Sequence, residues 1–133
     1  MEKLEDKLKQ KNVDVIKVKT DEITAAAVQL RDKKIIAINK DKIRNRTHEH
    51  TVLAHEFCHI ETGTLYSLFD DEIMIDKKEH KCKKYMVNEF VPIDKLKYYI
   101  KKCYLKHEIA ELFDVTEDVI DLAIKIYKQT GEW

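Results

Sequence analysis

The sequence has little glycine or proline and no net charge. With 2 Gly and 1 Pro in 133 residues, it contains nothing with the composition of a flexible linker. Lys and Arg number 25 and Asp and Glu number 25, which excludes a long-range field that attracts nucleic acid or an acidic membrane. No apolar run approaches the roughly 20 residues of a membrane span, and the charged amino end lacks the hydrophobic segment of a signal peptide. We therefore expect a soluble, cytosolic protein that recognises its partners locally.

Cysteine is also scarce. Cys58, Cys82 and Cys103 form an odd set without CxxC spacing. This pattern suits neither a disulfide framework nor a cysteine-rich zinc finger. We expect buried or partly buried free thiols, and for Cys58 and Cys82 a packing role is favoured over a role as thiol ligand or redox switch.

The length and the hydrophobic content of 44% suit one modest core, so residues 1–133 are predicted to form a single domain. Its predicted parts are an amino-terminal helix with strands (1–46), two central helices (47–92) and the carboxy-terminal helices (93–133). Alternation of apolar and polar residues predicts a small antiparallel sheet after the first helix. The strands are expected at 13–18, 24–30 and 35–39.

Helical patterns follow the strands, which makes the fold class α+β. A helix over 47–60 is expected to end at Gly63 in the left-handed conformation. A second is expected to begin after Asp76 as N-cap and to stop at Pro92, and a third is expected after Asp94. The tail is predicted to form two short helices separated by "FDV", with Thr116 capping the last.

The stretch "TVLAHEFCHIETG" (51–63) carries the chemistry. On a helix His55 and His59 lie on one face, one turn apart, so their imidazoles can bind one ion. Glu56 follows His55 and can take a proton from a zinc-activated water. Chance placement of the 6 His and 13 Glu gives roughly 0.03 such matches, which favours a metallopeptidase site over surface histidines in a charged helix.

A catalytic zinc takes three protein ligands and leaves a position for water. We predict Glu79 as the third, because it shares a helix face with Cys82, Met86 and Phe90, which would pack that helix against the first. The alternative role for Glu79 is a capping box with Asp76. His80 points about 100° away and is the second choice. The further candidates are Asp76, Glu72 and His48.

Three segments resemble the ImmA/IrrE metallopeptidases, in particular small phage and mobile-element members. They are "VLAHEFCHIETGTLY", "KKEHKCKKYMVNEFVP", similar to the family's E-x-x-A-x-x-aromatic-A helix, and "HEIAELFDVTEDVIDLAI". The resemblance covers 47–92 and 105–125. Cys82 and Met86 stand where the family has alanine, and Phe57-Cys58 replace Leu-Gly, so packing details differ.

This resemblance implies a zincin-like fold with a small sheet packed on a helical bundle. It implies Zn²⁺ held by His55, His59 and Glu79, with Glu56 as general base; other divalent metals are conceivable in vitro. It also implies the substrate, because members cleave helix-turn-helix repressors of phages, mobile elements or stress regulons. We therefore expect a cognate repressor as partner, and neither nucleic acid nor a membrane.

Two other functions compete with the protease. Residues 107–128 have the helix, turn and helix of a DNA-binding module. Residues 95–133 contain seven Lys and seven acids, and the second helix opens with acids that would face phosphates, which disfavours DNA binding. The second alternative is a non-catalytic metal-binding interaction protein or antirepressor. The group that stabilises the oxyanion is left open among Tyr66, Tyr85, His50 and His80.

Overall fold

A computed structural model describes residues 4–67 and 69–133, which form an α+β fold with a small mixed sheet and six α-helices. The sequence predicts the first helix over residues 2–10, of which residues 2 and 3 lie outside the described part of the chain. The helices are α1 (Leu4–Gln10), α2 (Arg46–Glu61), α3 (Glu72–Phe90), α4 (Ile93–Lys101), α5 (Lys106–Phe113) and α6 (Glu117–Gln129). The strands are β1 (Val13–Lys17), β2 (Ala25–Leu30) and β3 (Lys33–Ile38), and a short 3-10 helix, Lys40–Lys42, precedes α2.

The sheet has the order β1-β3-β2 and is mixed. β2 and β3 form the expected antiparallel hairpin, with Ala27 opposite Ile36. β1 instead runs parallel to β3, with Val15 opposite Ile36, so the prediction of a wholly antiparallel sheet was wrong. β2 follows β1 in the sequence but lies on the opposite side of β3, so β3 is the central strand. The central position of β3 explains why its Ile36 and Ile38 are fully buried.

Helix α3 begins more than one turn before the start that was predicted after Asp76. Its N-cap is Asp71, whose side chain accepts a hydrogen bond from the Met74 amide at 2.7 Å, and Asp76 lies inside the helix. The first turns carry exposed apolar residues, with Ile73 67% exposed, so the segment lacks the amphipathic pattern that marks a helix. As a consequence Glu79 lies two turns into α3 and does not form a capping box with Asp76.

The carboxy-terminal helices follow the prediction closely. α4 begins at Ile93, with Pro92 in the N-cap position, so Asp94 lies in its first turn instead of capping it. The turn between α5 and α6 is made by Asp114 in the left-handed conformation, φ 56°, and Thr116 holds the N-cap position of α6. The Thr116 side chain makes no capping hydrogen bond there. Instead its amide donates to the Thr51 hydroxyl at 3.1 Å, which ties the turn to α2.

The hydrophobic core joins α2 and α3 to α6 and to the sheet. α2 contributes Phe57 and Cys58, and α3 contributes Cys82 and Val87, all 2% exposed or less. This burial confirms that the face of α3 carrying Cys82, Met86 and Phe90 points inwards. No helix within 4–67 and 69–133 has both the length and the apolar character that crossing a bilayer requires.

We predict that Tyr127→Phe destabilises the fold. The Tyr127 hydroxyl is buried and donates a hydrogen bond to the Val91 carbonyl oxygen at 2.8 Å, and Val87 O lies at 3.3 Å. Removing the hydroxyl takes this donor from the buried Val91 carbonyl oxygen, which should cost about 1–2 kcal/mol of the free energy of unfolding. The Val87 carbonyl oxygen keeps its hydrogen bond from the Val91 amide at 2.8 Å. Urea denaturation measures this loss. Tyr104→Phe, at an exposed position, serves as the control and should change the free energy of unfolding little.

Candidate metal centre

Helix α2 presents both histidines of the motif on one face. Its amino end is fixed by the Asn45 side chain, which accepts a hydrogen bond from the His48 amide at 2.9 Å. Its carboxy end is closed by Gly63, whose φ of +64° is the left-handed conformation predicted from the sequence. Between these ends the helix is continuous, and the imidazole rings of His55 and His59 lie with centroids 4.9 Å apart.

Glu79 of α3 contacts both imidazoles. Its Oε1 lies 3.1 Å from His59 Nε2, its Oε2 lies 3.4 Å from His55 Nε2, and the two Nε2 atoms are 3.1 Å apart. A tetrahedral zinc ion, with bonds of about 2.0–2.1 Å to nitrogen and oxygen, separates its ligand atoms by about 3.3 Å. The three distances measured among the two Nε2 atoms and the two carboxylate oxygens, 3.1–3.4 Å, are therefore close to the separation of ligand atoms around a tetrahedral zinc ion.

The orientation of the His59 ring is fixed by contacts at Nδ1, whereas Nε2 is the nitrogen that faces Glu79. Its Nδ1 lies 3.1 Å from the carbonyl oxygen of Thr64 and 3.0 Å from the Thr64 hydroxyl. Because a carbonyl oxygen only accepts, it favours the tautomer with the proton on Nδ1, which leaves the Nε2 lone pair free. The hydroxyl of Thr62 in turn lies 2.7 Å from the hydroxyl of Thr64. The loop after Gly63 thus orients a ligand, as partners behind metal-bound histidines commonly do.

Cys82 offers a second candidate for the third ligand. His55, His59 and Cys82 have ligand atoms within 4.8 Å of one another and could hold a metal ion. The Cys82 thiol donates to the carbonyl oxygen of His55 at 3.4 Å. Burial, followed by the nearby Glu79 and Glu56, raises the pKa of Cys82 to about 12, which keeps the thiol protonated without a metal. The two oxygens of Glu79 lie 3.1 and 3.4 Å from the Nε2 atoms of His59 and His55, so the geometry favours the carboxylate.

Glu56 lies beside this cluster and is tied to the sheet. Burial raises the pKa of its carboxyl group, and Glu79 acts in the same direction. His59 and a hydrogen bond from the backbone amide of Ala27 in β2 oppose this rise. A carboxylate with a raised pKa is a stronger base, and the β2 amide holds one of its oxygens in place.

His55 is in an environment that favours the neutral ring. Burial is the largest cause lowering its pKa, and the positive charges of His59 and Lys83 add to it. Glu79 opposes the change through its charge and its hydrogen bond. A metal-binding imidazole must be neutral at the ligating nitrogen, so the surroundings of His55 suit a ligand.

A cleft of about 610 Å³ opens beside His55 and Glu56. It lies between the start of β2 and the helices α2, α3 and α6. Its lining includes two cations, Arg44 and Lys83, two acids, Glu56 and Asp118, and the apolar residues Ile23, Ala25, Val52, Met86, Val119 and Leu122. A pocket of this size, largely apolar and containing a few converging polar groups, is typical of a ligand site.

The other sequence candidates lie away from the cluster. Glu72 and Asp76 are exposed on the first turns of α3, and His80 is also exposed, as expected. His48 lines the cleft, but its Nδ1 accepts the Arg44 amide at 3.1 Å. Among the described residues, none of these four forms a hydrogen bond or an ion pair with the Nε2 atom of His55 or of His59.

Of the four candidate oxyanion donors, Tyr66 is the one whose ring contacts the site. Its ring packs on His59 with centroids 5.2 Å apart. For Tyr85, burial and the charges of Glu89 and Glu61 raise the pKa to about 12. His50 packs edge-on against Phe90 at 6.1 Å.

Sequence reasoning missed three contributors to the site: Thr64, the backbone amide of Ala27, and Lys83. Only Lys83 left a usable signal, because it follows Glu79 by four residues and therefore shares its helix face. Ala27 acts through its backbone amide, which has no signature in a sequence. Thr64 acts through its carbonyl oxygen and its hydroxyl, and its approach to His59 depends on the path of the loop after Gly63.

We predict that one thiol of three reacts in the folded protein. Cys58 and Cys82 are fully buried, and burial raises the pKa of both thiols, whereas Cys103 is exposed. Because the thiolate is the reactive species, Cys58 and Cys82 should resist a thiol reagent until the protein unfolds. Titration with Ellman's reagent should count one thiol in buffer and three in guanidinium chloride. The variant Cys103→Ser should reduce the count in buffer to zero, and a reactive Cys82 in that variant would contradict its burial.

The chain was compared with protein-family models, with curated proteins and with solved structures. No family model, no curated protein and no solved structure matches it.

Proposed function

We propose that this protein is a zinc-dependent endopeptidase. The observation that carries the proposal is the Glu79 carboxylate, whose two oxygens lie 3.1 and 3.4 Å from the Nε2 atoms of His59 and His55. Two histidines and one carboxylate on neighbouring helices are the ligand set of a catalytic zinc site, which keeps its fourth position for water or substrate. The donor set fits zinc, because imidazole nitrogen and carboxylate oxygen both bind it well.

The residues around the ligands can support hydrolysis of a peptide bond. When bound, zinc supplies a Lewis acid that lowers the pKa of water to about 7 and polarises a carbonyl group. Glu56 lines the cleft, and its carboxylate takes a proton from the attacking water and can return it to the leaving amine. Thr64 keeps the proton of His59 on Nδ1, so that Nε2 remains available as a ligand.

The proposed substrate is a helix-turn-helix repressor. This part of the proposal rests on the resemblance of 47–92 and 105–125 to the ImmA/IrrE metallopeptidases. A zincin-like arrangement is likewise proposed and is consistent with a helix carrying H-E-x-x-H packed against a small sheet. Cleavage of the repressor would relieve repression of a phage, mobile element or stress regulon.

The DNA-binding alternative is less compatible with α6. Glu117 and Asp118 are exposed at its first turn, where a recognition helix meets the groove. The adjacent Val119 and Leu122 line the cleft with His55 and are not free for contact with DNA bases. Acidic groups at this position would repel phosphates.

The test uses the repressor encoded by a neighbouring open reading frame. The zinc-loaded protein is incubated with the purified repressor, and the products are identified by mass spectrometry. We expect one major cut, which o-phenanthroline abolishes and added zinc restores. A binding-only antirepressor would form a complex without products, and a DNA-binding module would show salt-sensitive affinity for duplex DNA with no cleavage. Either result would overturn the proposal.

A further inference from the structure

The cleft beside His55 and Glu56 has an apolar wall made partly by the last helix. Val119 and Leu122 come from α6, Val52 from α2 and Met86 from α3. Val119 and Leu122 are three residues apart, so they lie on the same face of α6. This face lines the cleft together with residues of α2, the helix that carries the H-E-x-x-H motif.

The apolar side chains are held rigidly. Val119 and Met86 are 5% and 3% exposed and belong to the core, while Leu122 is partly buried and packs against it. Tyr127, one turn further along α6, is anchored by its hydrogen bond to the Val91 carbonyl oxygen. A wall supported in this way keeps its shape and can select a side chain by size and polarity.

The charges that line the cleft oppose one another. Arg44 and Lys83 are balanced by two acids, Glu56 and Asp118. A charged side chain of either sign entering here would lose hydration and meet groups of like charge. An apolar side chain would lose no hydration energy and would cover the apolar wall.

We propose that this cleft binds a large apolar side chain of the substrate, next to the scissile peptide bond, and that Leu122 and Val119 of α6 determine this specificity. The inference rests on the proposed peptidase function, because it is the continuity of the cleft with His55 and Glu56 that places its occupant beside the reacting bond. The occupant is an extended segment of a protein chain. A cleft of about 610 Å³ has room for such a side chain and the adjoining backbone.

The proposal is tested with short peptide hydroxamates that bind zinc and differ in one side chain. Four probes carry Leu, Ala, Asp or Lys next to the hydroxamate, and calorimetry measures their binding to the zinc-loaded protein. We expect the Leu probe to bind roughly 10–200-fold more tightly than the Ala probe, as one pocket discriminates between side chains of different size. The Lys and Asp probes should both bind more weakly than the Leu probe, because a charged side chain loses hydration on entering the cleft. Equal affinities of the Leu and Ala probes would overturn the inference.

Variants of the chain test which residues determine the preference for the Leu probe over the Ala probe. Leu122→Ala should reduce the Leu-over-Ala ratio by roughly 10-fold, because the side chain loses part of its apolar contact. Leu122→Met, which conserves volume, should keep most of the ratio. The matched control is Leu112→Ala, since Leu112 is 51% exposed on α5 and does not line the cleft. An unchanged ratio in a Leu122→Ala protein that still binds zinc would overturn the role of α6.

The outcome also separates this inference from the proposed function. If the protein binds no zinc, or if it binds zinc but no hydroxamate, then the peptidase proposal itself fails. If all four probes bind tightly and equally, the metal centre stands and the assignment of the cleft fails. Digestion of a mixed peptide library gives an independent measure, and large apolar residues should be enriched within two positions of the cut.

Discussion

Glu56→Gln is expected to abolish cleavage while the protein keeps its zinc. The amide has the same shape as the carboxylate, and its oxygen can still accept the hydrogen bond from the Ala27 amide. It cannot take a proton, however, and a general base contributes roughly 10²–10⁴-fold to the rate. The cleavage rate of the repressor should fall by that factor, measured under single-turnover conditions, with one zinc per chain by elemental analysis in both proteins.

The fold should tolerate this change. Burial raises the pKa of Glu56, which means that the folded protein disfavours its charged form, and a neutral amide removes that cost. The control is Glu61→Gln on the same helix, since Glu61 pairs with Lys11 at 3.6 Å and lies outside the cleft. That variant should cleave at the wild-type rate. Equal rates for wild type and Glu56→Gln would show that another group is the base.

The hairpin and the helices could be predicted from the sequence because their signals are local. Gly63 ends α2 in the left-handed conformation as expected, and the turn at Asp114 separates α5 from α6 within "FDV". The parallel pairing of β1 with β3 could not be predicted, since the alternation of residues in a strand specifies which face is buried and not which neighbour it pairs with. The early start of α3 was missed because Ile73 and Met74 are exposed.

The proximity of His55, His59 and Glu79 has clearer signals in the sequence than the surroundings of these residues. The spacing of His55 and His59 fixes their common face, and the inward face of α3 brings Glu79 towards them. The approach of Cys82 to the same histidines follows from that helix face as well. The cleft, by contrast, is formed where β2, α2, α3 and α6 meet, and contacts between residues so far apart in the chain leave no local pattern.

The second large effect is expected on the affinity for zinc, and it depends on which residue is the third ligand. Loss of a residue that hydrogen-bonds to a metal ligand weakens metal binding roughly 10–100-fold. Glu79→Gln removes a ligand itself and should weaken zinc binding by more than this factor. Gln has the same shape, so the packing of α3 is preserved, but its neutral amide is a poor replacement for a carboxylate on zinc. Competition with a chromophoric chelator measures the dissociation constant. Cys82→Ser should change this constant only a few-fold, because a serine hydroxyl can still donate to the His55 carbonyl oxygen.

Cobalt substitution separates the two candidates directly. A cobalt ion bound by His55, His59 and Glu79 has no sulfur ligand, so its spectrum should lack the intense near-ultraviolet band of charge transfer from thiolate to metal. Binding by Cys82 would require the thiol to lose its proton against a pKa raised to about 12 and to give up its hydrogen bond to His55. If the band is present in the wild type and absent in Cys82→Ser, the ligand is Cys82. Glu79 would then be a partner that hydrogen-bonds the two histidines, and the Glu79→Gln protein would keep its metal.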